Sequence, residues 1–248
     1  MLKVPPKGWL EDKTMSRVRR SVFVAITAIL GAVHAALVAI PGIWRSWMIL
    51  IEPLEGMILG PRAGFTAALI GSIAGRIIRP GWGLYPLFGI AEPIGALVTG
   101  LIFQGKWKTT LVAYATMLGA YFIHPLGRVL PAWCLWDVYL ALALIFASPY
   151  AIKGALKERA NPKKITPALA LASFIGIEAD VLTRIFLLIP IGLYKLMGIT
   201  EEALPLIWMA GALETPIESV ISVIATVIIG VPLLITLEKG KILKWPLT

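Results

Sequence analysis

Apolar residues fall into eight runs along the chain, at about 20–40, 46–60, 63–78, 84–104, 109–126, 130–152, 166–197 and 207–237, separated by short polar and basic turns. A hydrocarbon core is crossed by roughly 20 helical residues, so these runs predict membrane helices, the second and third being short. Only Gly60-Pro61-Arg62 joins the second run to the third, which predicts a tight helical hairpin. The last two runs are long enough to be tilted, or broken at Pro190 and Pro216. The expected fold is all-α: a polytopic transmembrane helical bundle of six to eight segments. Residues 1–19 are expected as a cytoplasmic N-terminal segment, 20–238 as one transmembrane domain and 239–248 as a basic cytoplasmic tail.

The stretch EPLEGMILGPRAGFTAALIGSIAGR, from Glu52, sets two glutamates and a ladder of small residues inside apolar sequence. Burying a carboxylate is costly and Gly disfavours a helix interior, so both demand a reason.

Composition sharpens this picture. The chain is 58% hydrophobic and 15% charged, with a mean hydropathy of +0.84. Soluble domains average about 45–50% apolar and about 25% charged, so too little polar surface is present to cover a water-soluble fold. The opening residues, MLKVPPKGWLEDKTMSRVRR, are too polar for a cleavable signal peptide. A net charge of +9 raises the question of nucleic acid, but no basic face with interleaved aromatics appears. The charge instead sits at membrane boundaries. Arg17, Arg19, Arg20, Arg62, Lys106, Lys108, Lys153, Lys157, Arg159, Lys163, Lys164, Lys239, Lys241 and Lys244 fall on one set of alternate connections. The other set holds Arg45, Arg76, Arg79, Arg128 and Lys195, with Glu201 and Glu202. This bias places both termini in the cytoplasm of a multi-pass cell-membrane protein. Trp44 and Trp47 fit ordinary interface anchors.

Ionisable residues inside the apolar runs gather in the outer half: His34, Glu52, Arg76, Arg79, Glu92, His124, Asp137, Glu178, Asp180, Arg184, Glu214 and Glu218. A charge at mid-membrane costs roughly 2.5–3.5 kcal/mol on insertion scales, so each needs a partner or a wet cavity. Asp180 and Arg184, four apart, can neutralise each other. Glu214 and Glu218 share both spacing and sign, and so require an outside partner, whether ligand, ion, proton or distant arginine. Glu92 shares a helical face with Tyr85, Gly89 and Ala96. Asp137 lies one turn from Trp133, an anion beside an aromatic face that suits an organic cation. The expected substrate-binding set is Glu92, Asp137, Glu214, Glu218, Asp180, Arg184, His34, Trp133 and Tyr85. For His34 and His124 the plain alternative is a histidine completing a hydrogen bond.

Small residues form two stripes. Ala25, Ala28, Ala32, Ala36 and Ala39 share one sector of the first run, and Ala67, Gly71 and Gly75 form a second stripe on the third. Such stripes let helices approach closely, inside the protein or against another subunit.

AITAILGAVHAALVAIPG, LEGMILGPRAGFTAALIGSIAG and YPLFGIAEPIGALVTGLIFQGKWK, followed by IGIEADVLTRIFLLIPIGLY and TPIESVISVIATVIIGVPLLITLEK, resemble the S component of energy-coupling factor (ECF) transporters, in archaeal-looking form. The resemblance covers most of residues 20–238, although the chain exceeds the six helices usual in that family. It implies capture of a small vitamin-like or other nutrient molecule from the outside. Import would require a transmembrane coupling subunit and two cytoplasmic ATPases, with Ala28 and Ala32 on the coupling face. No ATPase chemistry is expected of the chain itself, which has no G-x-x-x-x-G-K-[ST] loop.

The alternative is an ion-coupled secondary transporter using Glu214, Glu218 and Asp180 beside a break at Pro216. An enzyme is not expected: H-E-x-x-H, G-x-S-x-G, a paired-Asp motif and a Cys-His partnership are all missing from the sequence. No catalytic residue, metal or cofactor is therefore assigned, and Cys134, the only cysteine, fits a packing role.

Overall fold

Two small residues fold the second helix back on itself. The computed structural model describes residues 7–42, 45–79 and 85–240, with the backbone alone at 7–20 and 85–86. Helix α1 spans Lys7–Val38, so much of the segment expected as a non-membrane N-terminus is helical. Helix α2 spans Glu52–Ile78 and is interrupted at Gly60, whose φ of 79° and ψ of 172° lie in a region open essentially to glycine alone. Pro61 then opens the second arm, where its missing N–H is harmless. The arms touch: a Cβ on Gly64 would stand 2.8 Å from Gly56 Cα. This is the hairpin expected at Gly60-Pro61-Arg62.

The stripe on the second arm faces inward. A Cβ on Gly71 would meet the His34 side chain and the Gly31 carbonyl, and one on Gly75 would meet Ala35 and Val38. The stripe thus seats α1, running parallel to it. On α1 itself Ala25, Ala28, Ala32 and Ala36 remain exposed.

Helices α3 (Ala91–Phe103), α4 (Trp107–Ile123), the short α5 (Pro125–Val129) and α6 (Trp136–Lys157) follow. His124 caps α5, its Nδ1 accepting from Leu126 N at 3.2 Å, the hydrogen-bonding role open to it from sequence. Helix α7 (Pro162–Leu188) is central, packing on α3, α4, α6 and α9, and every residue from Ile175 to Thr183 is buried. A helix buried all round is a core helix. It ends just before Pro190, leaving only the short α8 (Leu193–Leu196) ahead of α9 (Leu204–Lys239).

Pro216 does not break α9. A proline frees the carbonyl four residues earlier, here Ala212, and the Trp136 indole donates to that oxygen at 2.9 Å. Pro149 in α6 is accommodated in the same way, with Ser148 Oγ donating to Ile145 O at 2.7 Å.

Among the described residues there is no strand, only an isolated bridge between Pro41 and Ser46. Among the described residues four helices, within Ser21–Val38, Glu52–Ile78 (the one folded back at Gly60), Ala132–Lys157 and Leu204–Lys239, are long and apolar enough to cross a membrane. The surface agrees: Ile77, Leu213 and Ile228 are each about two-thirds or more exposed, whereas His34, Glu52, Glu55, Glu178 and Asp180 are fully buried. Apolar residues outside and ionised pairs inside suit a lipid environment.

Candidate binding cavity

The connection between α1 and α2 folds inward and carries an arginine into the bundle. The Pro41–Ser46 bridge and a Trp47 N–H to Ile40 carbonyl bond of 3.3 Å close this connection. Arg45 then donates to Glu218 on α9 twice, from its backbone N to Oε1 at 2.9 Å and from Nε to Oε2 at 2.6 Å. One turn further along α9, Ser222 Oγ donates to the Ile49 carbonyl at 2.5 Å. Arg45 Nη1 reaches Asp180 on α7 at 3.1 Å.

From Asp180 the network continues across the bundle. Arg184 Nε donates to both Asp180 oxygens at 3.1 Å, as the four-residue spacing predicts, and its Nη2 lies 3.4 Å from Glu92 Oε1. Glu92 on α3 also accepts from both terminal nitrogens of Arg76 and from Ser72 Oγ. His34 stands between two acids, with Nδ1 2.9 Å from Glu55 Oε2 and Nε2 3.4 Å from Glu92 Oε2.

Three guanidiniums, Arg45, Arg76 and Arg184, thus meet three carboxylates, Glu92, Asp180 and Glu218. Buried ions persist only when paired and hydrogen-bonded, because removing one partner costs about 3–5 kcal/mol. Glu55, one of the two glutamates in the puzzling α2 stretch, is accounted for by His34. Glu52 is buried against Gly95, where a Cβ would collide with its carboxylate, and neither oxygen has a hydrogen-bond partner among the described residues. Nothing in the structure explains that choice.

Beside this network lies a cavity of about 490 Å³, between α6, α7, α9 and the segment around α8. That volume falls within the roughly 300–1,000 Å³ of small-molecule sites. Val181, Ile185 and Leu188 of α7 form one apolar wall, and Met197, Ile199 and Ile207 form another. Trp208 and Phe88 add aromatic surface. The polar groups of the lining are Arg45, Arg184, Asp137, Thr215 and Glu218. Asp137 Oδ2 accepts from Thr215 Oγ1 at 2.7 Å, and Oδ1 from Val138 N at 2.9 Å. A mostly apolar pocket with a few fixed polar groups is the form of a binding site for a small organic molecule.

The residues expected at the substrate site therefore separate into groups. Asp137, Arg184 and Glu218 line the cavity. Asp180, Glu92 and His34 are not in its lining but belong to the ion network, and all three are almost completely buried. Glu214 lies outside the lining and makes no hydrogen bond or ion pair among the described residues, so the like-charged pair with Glu218 is resolved by Arg45 on one member only. Trp133 is 63% exposed and not part of the wall. Tyr85 opens a 3-10 turn, but its side chain, like all of Trp44, is outside the described residues. The residues that sequence reasoning missed are Arg45, Thr215 and Trp208. The surplus of acids inside the apolar runs was the available signal for Arg45, since those acids needed a cation.

No family model, curated protein or solved structure matches the chain.

Proposed function

We propose that this chain captures a small organic nutrient for an ATP-driven importer of the ECF type, as its S component. The observation carrying this reading is the 490 Å³ cavity, apolar in its walls and fixed at its polar side by the Arg45–Glu218 and Arg184–Asp180 pairs. In the proposed arrangement all eight apolar runs cross or enter the membrane, both termini are cytoplasmic and the cavity lies in the outer half. The exposed Ala28 and Ala32 face then meets the transmembrane coupling subunit, which carries two cytoplasmic ATPases. Against the ion-coupled alternative, Glu218 and Asp180 are held by arginines and α9 runs unbroken through Pro216, which leaves it Glu214 alone of its three carboxylates.

Purification of the tagged chain from its native membranes tests the assignment. A membrane subunit and two ATPase subunits should accompany the wild type, and Ala28→Trp or Ala32→Trp should remove them without unfolding the chain, because both sites are exposed. Recovery of the chain alone, or full retention of partners by both variants, would contradict the proposal.

A further inference from the structure

Charge balance at the cavity wall singles out one residue. Both cavity arginines are ion-paired, Arg45 to Glu218 and Asp180 and Arg184 to Asp180 and Glu92, with Arg45 Nη2 left without a hydrogen-bond partner among the described residues. Both Glu218 oxygens accept from Arg45. With Arg76 on Glu92, the three guanidiniums and three carboxylates of this network cancel. Asp137 is different. It is 1% exposed, lines the cavity, and its oxygens accept from the Thr215 hydroxyl and from backbone N–H groups, with no ion pair among the described residues. It is therefore the one carboxylate of the wall that no cation contacts among those residues. The rest of the lining is mainly aliphatic, with Trp208 and Phe88 adding aromatic surface.

We infer that the cavity takes an organic cation, a molecule with an apolar body and an ammonium or comparable cationic group that pairs with Asp137. This rests on the capture role proposed for the cavity and specifies its substrate class. The Coulombic gain beside low-dielectric walls exceeds that at an open surface, and the apolar walls take up the body of the ligand. An aromatic wall adds attraction for a cation and none for an anion.

Three probes of one shape separate the alternatives: 4-phenylbutylamine, 4-phenylbutyramide and 4-phenylbutyrate, titrated calorimetrically into the purified full-length chain. The amine should bind at least ~10-fold more tightly than the amide or the acid, the scale of one charge-assisted hydrogen bond. Asp137→Asn should bring the amine to within about threefold of the amide, with the fold of the variant checked by circular dichroism. If that variant fails to fold, the wild-type ranking decides alone. Tighter binding of the acid, or equal binding of all three, would overturn the cation assignment and leave the capture role standing. Binding of none of the three would also overturn it, and the subunits that accompany the chain would still judge the capture role separately.

Discussion

Arg45 binds Glu218 through both its backbone N–H and its Nε, so the carboxylate on α9 holds the main chain and the side chain of the α1–α2 connection at once. Removal of the side chain alone would leave Asp180 and Glu218 short of their shared cation. Arg45→Met should cost about 3–5 kcal/mol, the scale for an uncompensated buried charge. In Arg45→Met/Glu218→Leu the orphaned acid is gone and Arg184 still neutralises Asp180, so the double variant should be more stable than the sum of the singles by about 0.5–3 kcal/mol. Denaturation of the purified protein, read by circular dichroism, measures the cycle.

Gly60 and Gly119 should respond oppositely to alanine. Gly60 sits at φ 79° and ψ 172°, where a Cβ is strained, so Gly60→Ala should destabilise by about 1–3 kcal/mol. Gly119, inside α4, has open space where its Cβ would stand, so Gly119→Ala should be neutral or stabilise by up to about 1 kcal/mol. The same denaturation assay reads both, and equal losses would argue against a hairpin turn at Gly60.

The indole of Trp136 caps the carbonyl that Pro216 leaves free. Trp136→Phe should therefore destabilise by about 1–3 kcal/mol, the cost of an unmet buried acceptor. Pro216→Ala restores an N–H to α9 and should make Trp136→Phe substantially less harmful. An unchanged effect of Trp136→Phe in the Pro216→Ala background would show that the indole matters for packing alone.

Helical faces and local pairs were legible in the chain. The Gly60-Pro61-Arg62 hairpin follows from turn chemistry, and the Asp180–Arg184 pair from four-residue spacing. Rotation of each helix about its axis was not legible. Glu214 and Glu218 look equivalent in sequence, yet only Glu218 lies on the α9 face, with Trp208, Gly211 and Thr215, that borders the cavity. Trp133 and Asp137 are one turn apart in sequence, but Trp133 belongs to the non-α turn before α6 and points away from the wall. Arg45 lies in a connection, where no periodicity reports burial. Counted in the sequence only among the cations of the less basic set of connections, it is 6% exposed.

Sidedness has its own test. Cys134 is the only native cysteine and is buried in the cavity wall, so a Cys134→Ala background gives a clean start for labelling. In sealed cells, Glu201→Cys should react with an impermeant maleimide and Lys157→Cys should not, because the proposed arrangement puts the basic turns on the cytoplasmic side. The reverse pattern would place the cavity at the cytoplasmic half.

The capture role depends most directly on whether the cavity between α6, α7 and α9 holds a small molecule. Gly211 lines it, and a Cβ added there would meet nothing within 4 Å, so Gly211→Trp places a large side chain at the wall without a clash at its Cβ. The measurement is mass spectrometry of small molecules released on denaturing the chain, purified from its native cells as wild type and as Gly211→Trp. The prediction is one compound in near-stoichiometric amount from the wild type and its loss from a folded Gly211→Trp. An empty wild type, or the same compound retained by the filled variant, would contradict it.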